Sequence, residues 1–297
     1  MERSNDFGGA GGFGFRRRAL TIRTGAASVF MRTTIGASMT QVFEAEATVE
    51  KWDTDYYTPI SLKFYDRAVS DMIAAMAVPA GAEVLDAGCG PGVHSIRVAS
   101  QGYKVHAIDI SETMLKHAME RVEAAGLSGS VRFSQMDLTH LDLANGSVPH
   151  AFSWGVIIHI PNALQGFTEL ARVMKSGGRL GLYLTNLTAL DQKLERLARA
   201  ALGKKLTYHT SSIGKGVKYA MADEELWVWQ FDPALLIREM ERLGFRLVIR
   251  RAGEFSEIQR RTSGALRNVL LRLNNLAYAA RAPAALATGN IYVFERL

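Results

Sequence analysis

Val84-Leu85-Asp86-Ala87-Gly88-Cys89-Gly90-Pro91-Gly92 runs a short apolar segment into three glycines within five positions. Such a run reads as a buried strand entering a tight loop, where the backbone must come close to whatever the loop holds. A helix is predicted behind it, from about Val93 to Gln101, closed by Gly102. A second strand, Tyr103 to Ile108, ends at Asp109. Ser111 then predicts an N-cap, with Glu112 in the first turn where a carboxylate suits the helix dipole. That helix runs to about Ala125 and stops at Gly126.

The alternation continues outward. Val131-Arg132-Phe133 predicts a third strand, followed by Met136-Asp137. Ala151 to Ile157 predicts a strand, Asn162 to Met174 a helix, Gly177-Gly178 a turn and Arg179 to Leu184 a strand. Asp232-Pro233 places a capping carboxylate before a proline at the first helical position, so a helix starts there and ends at Gly244. Phe245 to Ile249 and Ile291 to Phe294 are the last two strands. Upstream, Val49 to Met76 reads as one helical region containing Trp52, Tyr56, Tyr57, Leu62, Phe64 and Tyr65. Short apolar strands alternating with helices specify a parallel sheet covered on both faces. The expected fold is α/β and doubly wound, a seven-stranded, mostly parallel sheet with helical lid insertions at about 187–230 and 256–286.

Composition excludes several classes. The chain has 297 residues, 48% hydrophobic and 22% charged, which excludes wholesale disorder and a collagen-like repeat. No apolar run reaches the ~18–20 residues of a membrane span. The single cysteine, Cys89, cannot form an internal disulfide, which favours a reducing, cytoplasmic setting. The net charge of +6 is unevenly placed: residues 1–40 carry +4 and residues 245–297 carry +6, leaving −4 for the centre. Basic ends around an acidic middle argue against a specific nucleic-acid groove, which needs cations clustered on the working face. Residues 1–40, basic and glycine-rich, are expected to be a disordered, dispensable extension, with Met31 or Met39 as the functional start; the folded domain is expected over 41–297.

The two aspartates sharpen the glycine loop. Asp86 sits at the carboxyl end of its strand, and Asp109 ends the next, where a carboxylate can accept from two ribose hydroxyls. A dinucleotide would bring an anionic pyrophosphate to this loop, which Asp86 opposes. Val93 also stands where a dinucleotide fingerprint wants its third glycine. A sulfonium and an ammonium are favoured by the same carboxylate, by ~1–4 kcal/mol at contact distance.

At these residues the sequence resembles the class I S-adenosylmethionine-dependent methyltransferases, in the branch that holds many small-molecule and quinone methyltransferases. Val84 to Gly92 is similar to the family's first motif, Asp109 to its ribose-binding acid, and Met136-Asp137-Leu138 to the segment that holds the adenine. Ser153-Trp154-Gly155-Val156 with His159-Ile160-Pro161-Asn162 is similar to the fourth-strand motif. Arg172-Val173-Met174-Lys175-Ser176-Gly177-Gly178-Arg179-Leu180 matches a further signature, with Ser176 in place of the usual proline. The resemblance spans roughly residues 50–185 and, less distinctly, 228–251 and 291–296.

The resemblance implies S-adenosyl-L-methionine as cofactor and a division of labour. Gly88 and Gly90 would cradle the methionine part with Asp86 near its ammonium. Asp109 would hold the ribose, Ile110 and Met114 would flank the adenine, and Asp137 would accept from its amino group with Leu138 stacking nearby. The backbone of Ser153, Trp154 and Gly155 would floor the methyl. The reaction would be an in-line displacement on a small-molecule acceptor, needing approach geometry more than a strong base. His159 is the candidate proton acceptor, with an ordinary pKa of roughly 6.5 suited to the task; it would otherwise orient its loop or pack beside Trp154.

Substrate choice is expected in the insertions. Residues 187–230 contain a helix-like stretch (Leu190, Leu194, Leu197, Ala198, Ala201), a basic break at Lys204-Lys205, and the aromatic run Trp227, Trp229, Phe231. Residues 256–286 put Leu266, Val269, Leu270, Leu273 and Leu276 on one helical face. Arg260, Arg261, Arg267 and Arg272 lie mostly on others and read as a solvated face, with an anionic substrate or a weak peripheral membrane contact as the alternative. The Asn/Asp-Pro-Pro-Tyr segment of amino-methylating nucleic-acid enzymes is missing, and no metal-ligand spacing is present. The competing readings are an NAD(P)-dependent oxidoreductase, a protein that binds the cofactor without turnover, and an RNA methyltransferase.

Overall fold

The computed structural model describes residues 42–203, 206–221 and 224–297. The extension expected over 1–40 and the Lys204-Lys205 break lie outside the described residues. The first helical region is two helices, α1 (Glu46–Tyr56) and α2 (Pro59–Ala75). Thr58 divides them: its extended backbone precedes a proline at the first helical position, and its hydroxyl accepts from the Ser61 N–H at 3.2 Å.

Strand β1 (Glu83–Ala87), α3 (Val93–Ala99), β2 (Lys104–Asp109), α4 (Glu112–Ala124) and β3 (Val131–Gln135) follow where the sequence places them. Ser111 caps α4, accepting from the Met114 N–H at 3.0 Å, while its own hydroxyl donates to the Phe43 carbonyl. Glu44 completes that cap, its carboxylate accepting from the N–H groups of Glu112 and Thr113.

Strand β4 covers Val148–Trp154, earlier than expected, because Gly155 leaves the extended region at φ +70 and Ile157–His159 forms a 3₁₀ turn. Then come α5 (Ala163–Val173), β5 (Met174–Thr185) and α6 (Leu190–Ala201). The stretch that the sequence leaves irregular is a hairpin-linked trio: β6 (Tyr208–Ser211), β7 (Gly214–Met221) and β8 (Glu224–Phe231). Helix α7 (Pro233–Arg242), capped by Asp232, leads to β9 (Phe245–Ala252), α8 (Gly264–Ala279) and β10 (Gly289–Arg296).

The main sheet has seven strands in the order β3-β2-β1-β4-β5-β10-β9, and only β10 runs antiparallel to its neighbours. Two apolar cores cover its faces in strict alternation. Leu180, Leu182 and Leu184 of β5 join Tyr292 and Phe294 of β10 in one; Tyr183, Ile291 and Val293 join Phe152 and Met72 in the other. Strand order reverses at β1 and β4, and the crevice beyond their carboxyl ends is where such sheets hold ligands.

The expected lid therefore has a helix, α6, and a separate three-stranded antiparallel sheet in the order β6-β7-β8. Helix α8 departs from expectation in orientation. Its predicted apolar face is turned outward: Leu266, Val269, Leu273 and Leu276 are exposed, while Leu271, Asn274 and Tyr278 face the core. Asn274 earns its burial by bonding the Ser256 backbone in both directions, and Tyr278 donates to Asp71 at 2.7 Å.

Candidate functional site

One cavity of about 1900 Å³ opens above the carboxyl ends of β1, β2 and β4 and extends beneath the β6–β8 sheet. Its volume is about twice the upper end of ordinary small-molecule sites. The glycine loop forms its base. Gly88, Gly90 and Gly92 all have positive φ, and a Cβ on Gly88 would overlap the Val156 side chain. A Cβ on Gly92 would come within 2.9 Å of the Ala118 backbone, so α3 and α4 pack only over a glycine there. The loop is anchored across strands: the N–H groups of Gly88 and Cys89 both donate to the Ile108 carbonyl.

Asp109 ties this loop to the second βα turn. One carboxylate oxygen accepts from the Gly90 N–H at 2.8 Å and the other from the Ser111 N–H at 3.0 Å. Burial raises its pKa while these N–H groups pull it down. A carboxylate offers about four lone-pair sites, so acceptor capacity remains toward the cavity that Asp109 lines.

Asp86 sits deeper. It is 1% exposed, does not line the cavity, and accepts from the Ser95 hydroxyl at 2.6 Å. Burial pushes its pKa up to about 7, against the pull of Ser95. The carboxylate expected beside an ammonium thus lies under the loop. Ser153 is similarly set back, its hydroxyl donating to the Ala87 carbonyl at 2.7 Å and so clamping β4 to the end of β1. The other residues singled out from sequence converge on the cavity: Gly88, Gly90, Asp109, Ile110, Met114, Met136, Asp137, Leu138, Trp154 and His159. Asp137 also makes its own turn, accepting from the N–H and hydroxyl of Thr139.

His159 belongs to the roof as much as to the floor. Its Nδ1–H donates to the Trp227 carbonyl at 2.9 Å, which leaves Nε2 as the acceptor. Burial lowers its pKa to about 4, so the ring is neutral near pH 7 and less basic than a free histidine. Trp229 adds a second tie, Nε1 donating to the Ile160 carbonyl at 2.8 Å. Strand β8 alternates cleanly: Trp229 and Phe231 are buried in the core, while Leu226, Val228 and Gln230 line the cavity.

The cavity's far end adds Tyr183, Glu254 and Glu257, which carry no motif in the sequence. Trp154 stacks on Tyr183 at 4.4 Å, and the Tyr183 hydroxyl donates to Glu254 at 3.2 Å. Arg260 reaches Glu254 and Glu257, both at 2.9 Å, and lies 4.4 Å over the Tyr56 ring. The expected solvated arginine is thus an inward one, with burial opposed by two carboxylates and raising the pKa of Glu257. Nothing in the spacing of Glu254, Glu257 and Arg260 marks them, because they converge from an irregular segment. His94 was legible in principle: it sits in the first turn after the glycine loop, where side chains turn back toward the crevice. Its ring lies 5.0 Å from that of Trp154, and burial lowers its pKa to about 3.

Comparison with known proteins now bears on this geometry. Residues 84–178 match the family described as a methyltransferase domain. That segment is a methyltransferase domain of the class I S-adenosylmethionine-dependent type. The chain is 34% identical over 118 residues to methyltransferase GfsG of Streptomyces halstedii, covering 39% of this chain and 42% of that one. It is 33% identical over 134 residues to the S-adenosyl-L-methionine-dependent Diels-Alderase iliD of Neonectria sp. (strain DH2), covering 44% and 50%. The matches span about half the length of these relatives or less. A solved S-adenosylmethionine-dependent methyltransferase from Clostridium acetobutylicum shares the fold, with a TM-score of 0.56, 12% identity, and coverage of 84% of this chain and 98% of that one.

The residues of the methyltransferase fit its cofactor. Gly88 and Gly90 hold the loop at positive φ (+89 and +49), a backbone conformation that glycine adopts without a side-chain penalty. The cationic side chains lining the cavity, among the described residues, are Arg260 and Arg261, which pair with Glu254, Glu257 and Glu195 at the far end. The loop end offers the carboxylates of Asp109 and Asp137, which suit a positively charged ligand better than an anionic pyrophosphate.

Proposed function

We propose that this protein transfers a methyl group from S-adenosyl-L-methionine to a small-molecule acceptor by in-line displacement. The observation that carries the reading is the single continuous cavity, with an acidic end at the glycine loop and a second, aromatic end under the β6–β8 sheet. S-adenosylmethionine, when bound, supplies an electrophilic methyl on a positively charged sulfur.

The chain's own residues do the rest. Asp109 orients the ribose while holding the loop through the Gly90 N–H. Ile110, Met114 and Leu138 would flank the adenine, and Asp137 would accept from its amino group. Asp86 acts through the loop as a buried counter-charge, and Ser153 keeps β4 in register beneath it. Trp154 and Tyr183 form the wall against which the acceptor packs. His159 positions the roof through Trp227 and offers neutral Nε2 to the acceptor's proton.

Carboxylates at both ends of the cavity favour a neutral or cationic acceptor over a multiply anionic one. Methyl transfer is supported by relatives such as the Streptomyces methyltransferase. One further reading has its own support: the Neonectria relative is named an S-adenosyl-L-methionine-dependent Diels-Alderase, and on that reading the cofactor here is held as a fixed positive charge without methyl transfer.

Profiling metabolites with a methyl-labelled donor, in cells with and without the gene, separates the two. Methyl transfer predicts a labelled product that disappears in Asp109→Ala. Intact cofactor binding with no gene-dependent labelled product overturns it and leaves the second reading.

A further inference from the structure

Helix α6 has its amphipathicity reversed for a surface helix. Its acids are turned inward: Asp191 and Glu195 line the cavity, Asp191 accepting from the Glu257 N–H and Glu195 pairing with Arg261. Its leucines are turned out, with Leu190, Leu194 and Leu197 at 43%, 53% and 67% exposure. Helix α8 repeats the pattern through Leu266, Val269, Leu273 and Leu276, spaced as one stripe and all exposed. The two elements are tied together, since the Leu190 N–H donates to the Leu286 carbonyl beyond α8 and Glu195 pairs with Arg261 before it. Exposed leucines in this number are not what an ordinary solvated surface carries.

The charge around the stripe has one sign. From Ile258 to Phe294 the chain has five arginines and no aspartate, glutamate or lysine; Arg260, Arg261 and Arg267 pair with carboxylates, which leaves Arg272 and Arg281 as the exposed charges beside the stripe. Arg272 lies on the exposed face of α8 beside Leu273, and among the described residues no carboxylate pairs with it or with Arg281. An isologous dimer through this face would set arginines of one sign against their own copies, which a twofold contact does not favour.

We propose that the outward face of α6 and α8 docks on an anionic lipid bilayer surface, leucines entering the acyl boundary and arginines meeting the headgroups. This is an interfacial helix arrangement and not a span; among the described residues no helix is long and apolar enough to cross a membrane. Leu194 and Ala198 of α6 also line the cavity, so docking would bring the cavity wall to the membrane and give a lipophilic molecule a route in without crossing water. Adsorption is measured without turnover and stands or falls apart from the reaction proposed above.

The test is co-sedimentation of the full chain with vesicles of phosphatidylcholine alone and of phosphatidylcholine mixed with phosphatidylglycerol. Binding is expected to the mixed vesicles, weakening as salt rises. The double variant V269D/L273D should lose at least about tenfold in vesicle affinity. Arg272→Gln should lose about fivefold. Both should keep the wild-type melting curve and S-adenosylmethionine affinity, since these side chains point away from core and cavity. Equal binding to neutral vesicles, or binding that V269D/L273D leaves intact (as adsorption through the basic residues 1–40 would), overturns the proposal. So does sedimentation showing a dimer that V269D/L273D dissociates, which would make a second copy the occupant.

Discussion

The two ends of the cavity are built on different principles. At the loop end, recognition is mostly backbone: glycines with positive φ, N–H groups pointed by strand ends, and one carboxylate pinned between two N–H groups. At the far end it is mostly side chain: Arg260 against two glutamates, Tyr183 on Trp154, and β8 showing alternate residues to the cavity. The first is dictated by what a parallel sheet does at its switch point and suits one constant ligand. The second rests on an inserted sheet and an irregular segment, where residues can change without disturbing the main sheet.

That contrast breaks first at Gly88. Gly88→Ala forces a positive-φ residue to carry a Cβ into Val156, costing about 3 kcal/mol of stability. S-adenosylmethionine affinity by calorimetry should fall at least about tenfold with it. Unchanged binding in this variant would mean the loop is not the cofactor's cradle. The far end should behave oppositely: Arg260→Met leaves Glu254 and Glu257 facing each other and lowers thermal stability by about 2 kcal/mol. Cofactor affinity should stay within about twofold, given the roughly independent behaviour of distant sites; a large loss would erase the distinction between the two ends.

Titration sharpens the comparison with opposite signs. Asp86 has its folded pKa raised to about 7, so its stabilising contribution is full below roughly pH 4 and is lost as pH rises toward 7. Asp86→Asn should therefore gain on wild type by about 2 kcal/mol between pH 4.5 and pH 8 in melting experiments. His159 has its folded pKa lowered to about 4, so its contribution is present above roughly pH 6.5 and lost as pH falls. His159→Phe should accordingly be least harmful at pH 4.5. The smallest effect belongs to the β7–β8 hairpin, where Lys218 pairs with Glu225 in the open. Lys218→Ala should change melting stability by less than about 0.5 kcal/mol.

Local chemistry was enough for the chain order of the seven strands of the main sheet. Gly88 to Gly92, Ser111 and Asp232-Pro233 carry their loop and cap meanings in residue type and spacing, because φ restrictions and orphan N–H groups act within a few residues. The same locality placed ten of the expected site residues at the cavity, since strand ends in a parallel sheet share one edge. The β6–β8 sheet was half legible: Leu226 to Phe231 alternates with period two, but with no partner strand in view its aromatics read only as a run.

What the sequence alone determined is the sheet, its switch point and the glycine loop beside it. Tertiary structure decided depth, facing and pairing: that Asp86 lies under the loop, that Arg260 turns in to two glutamates, and that the leucines of α8 turn out. Periodicity reports that a helix has an apolar face, but not which neighbour claims it. On α8 the contacts of Asn274 and Tyr278 with residues far along the chain outweighed the leucine stripe, and no local pattern encodes such contacts.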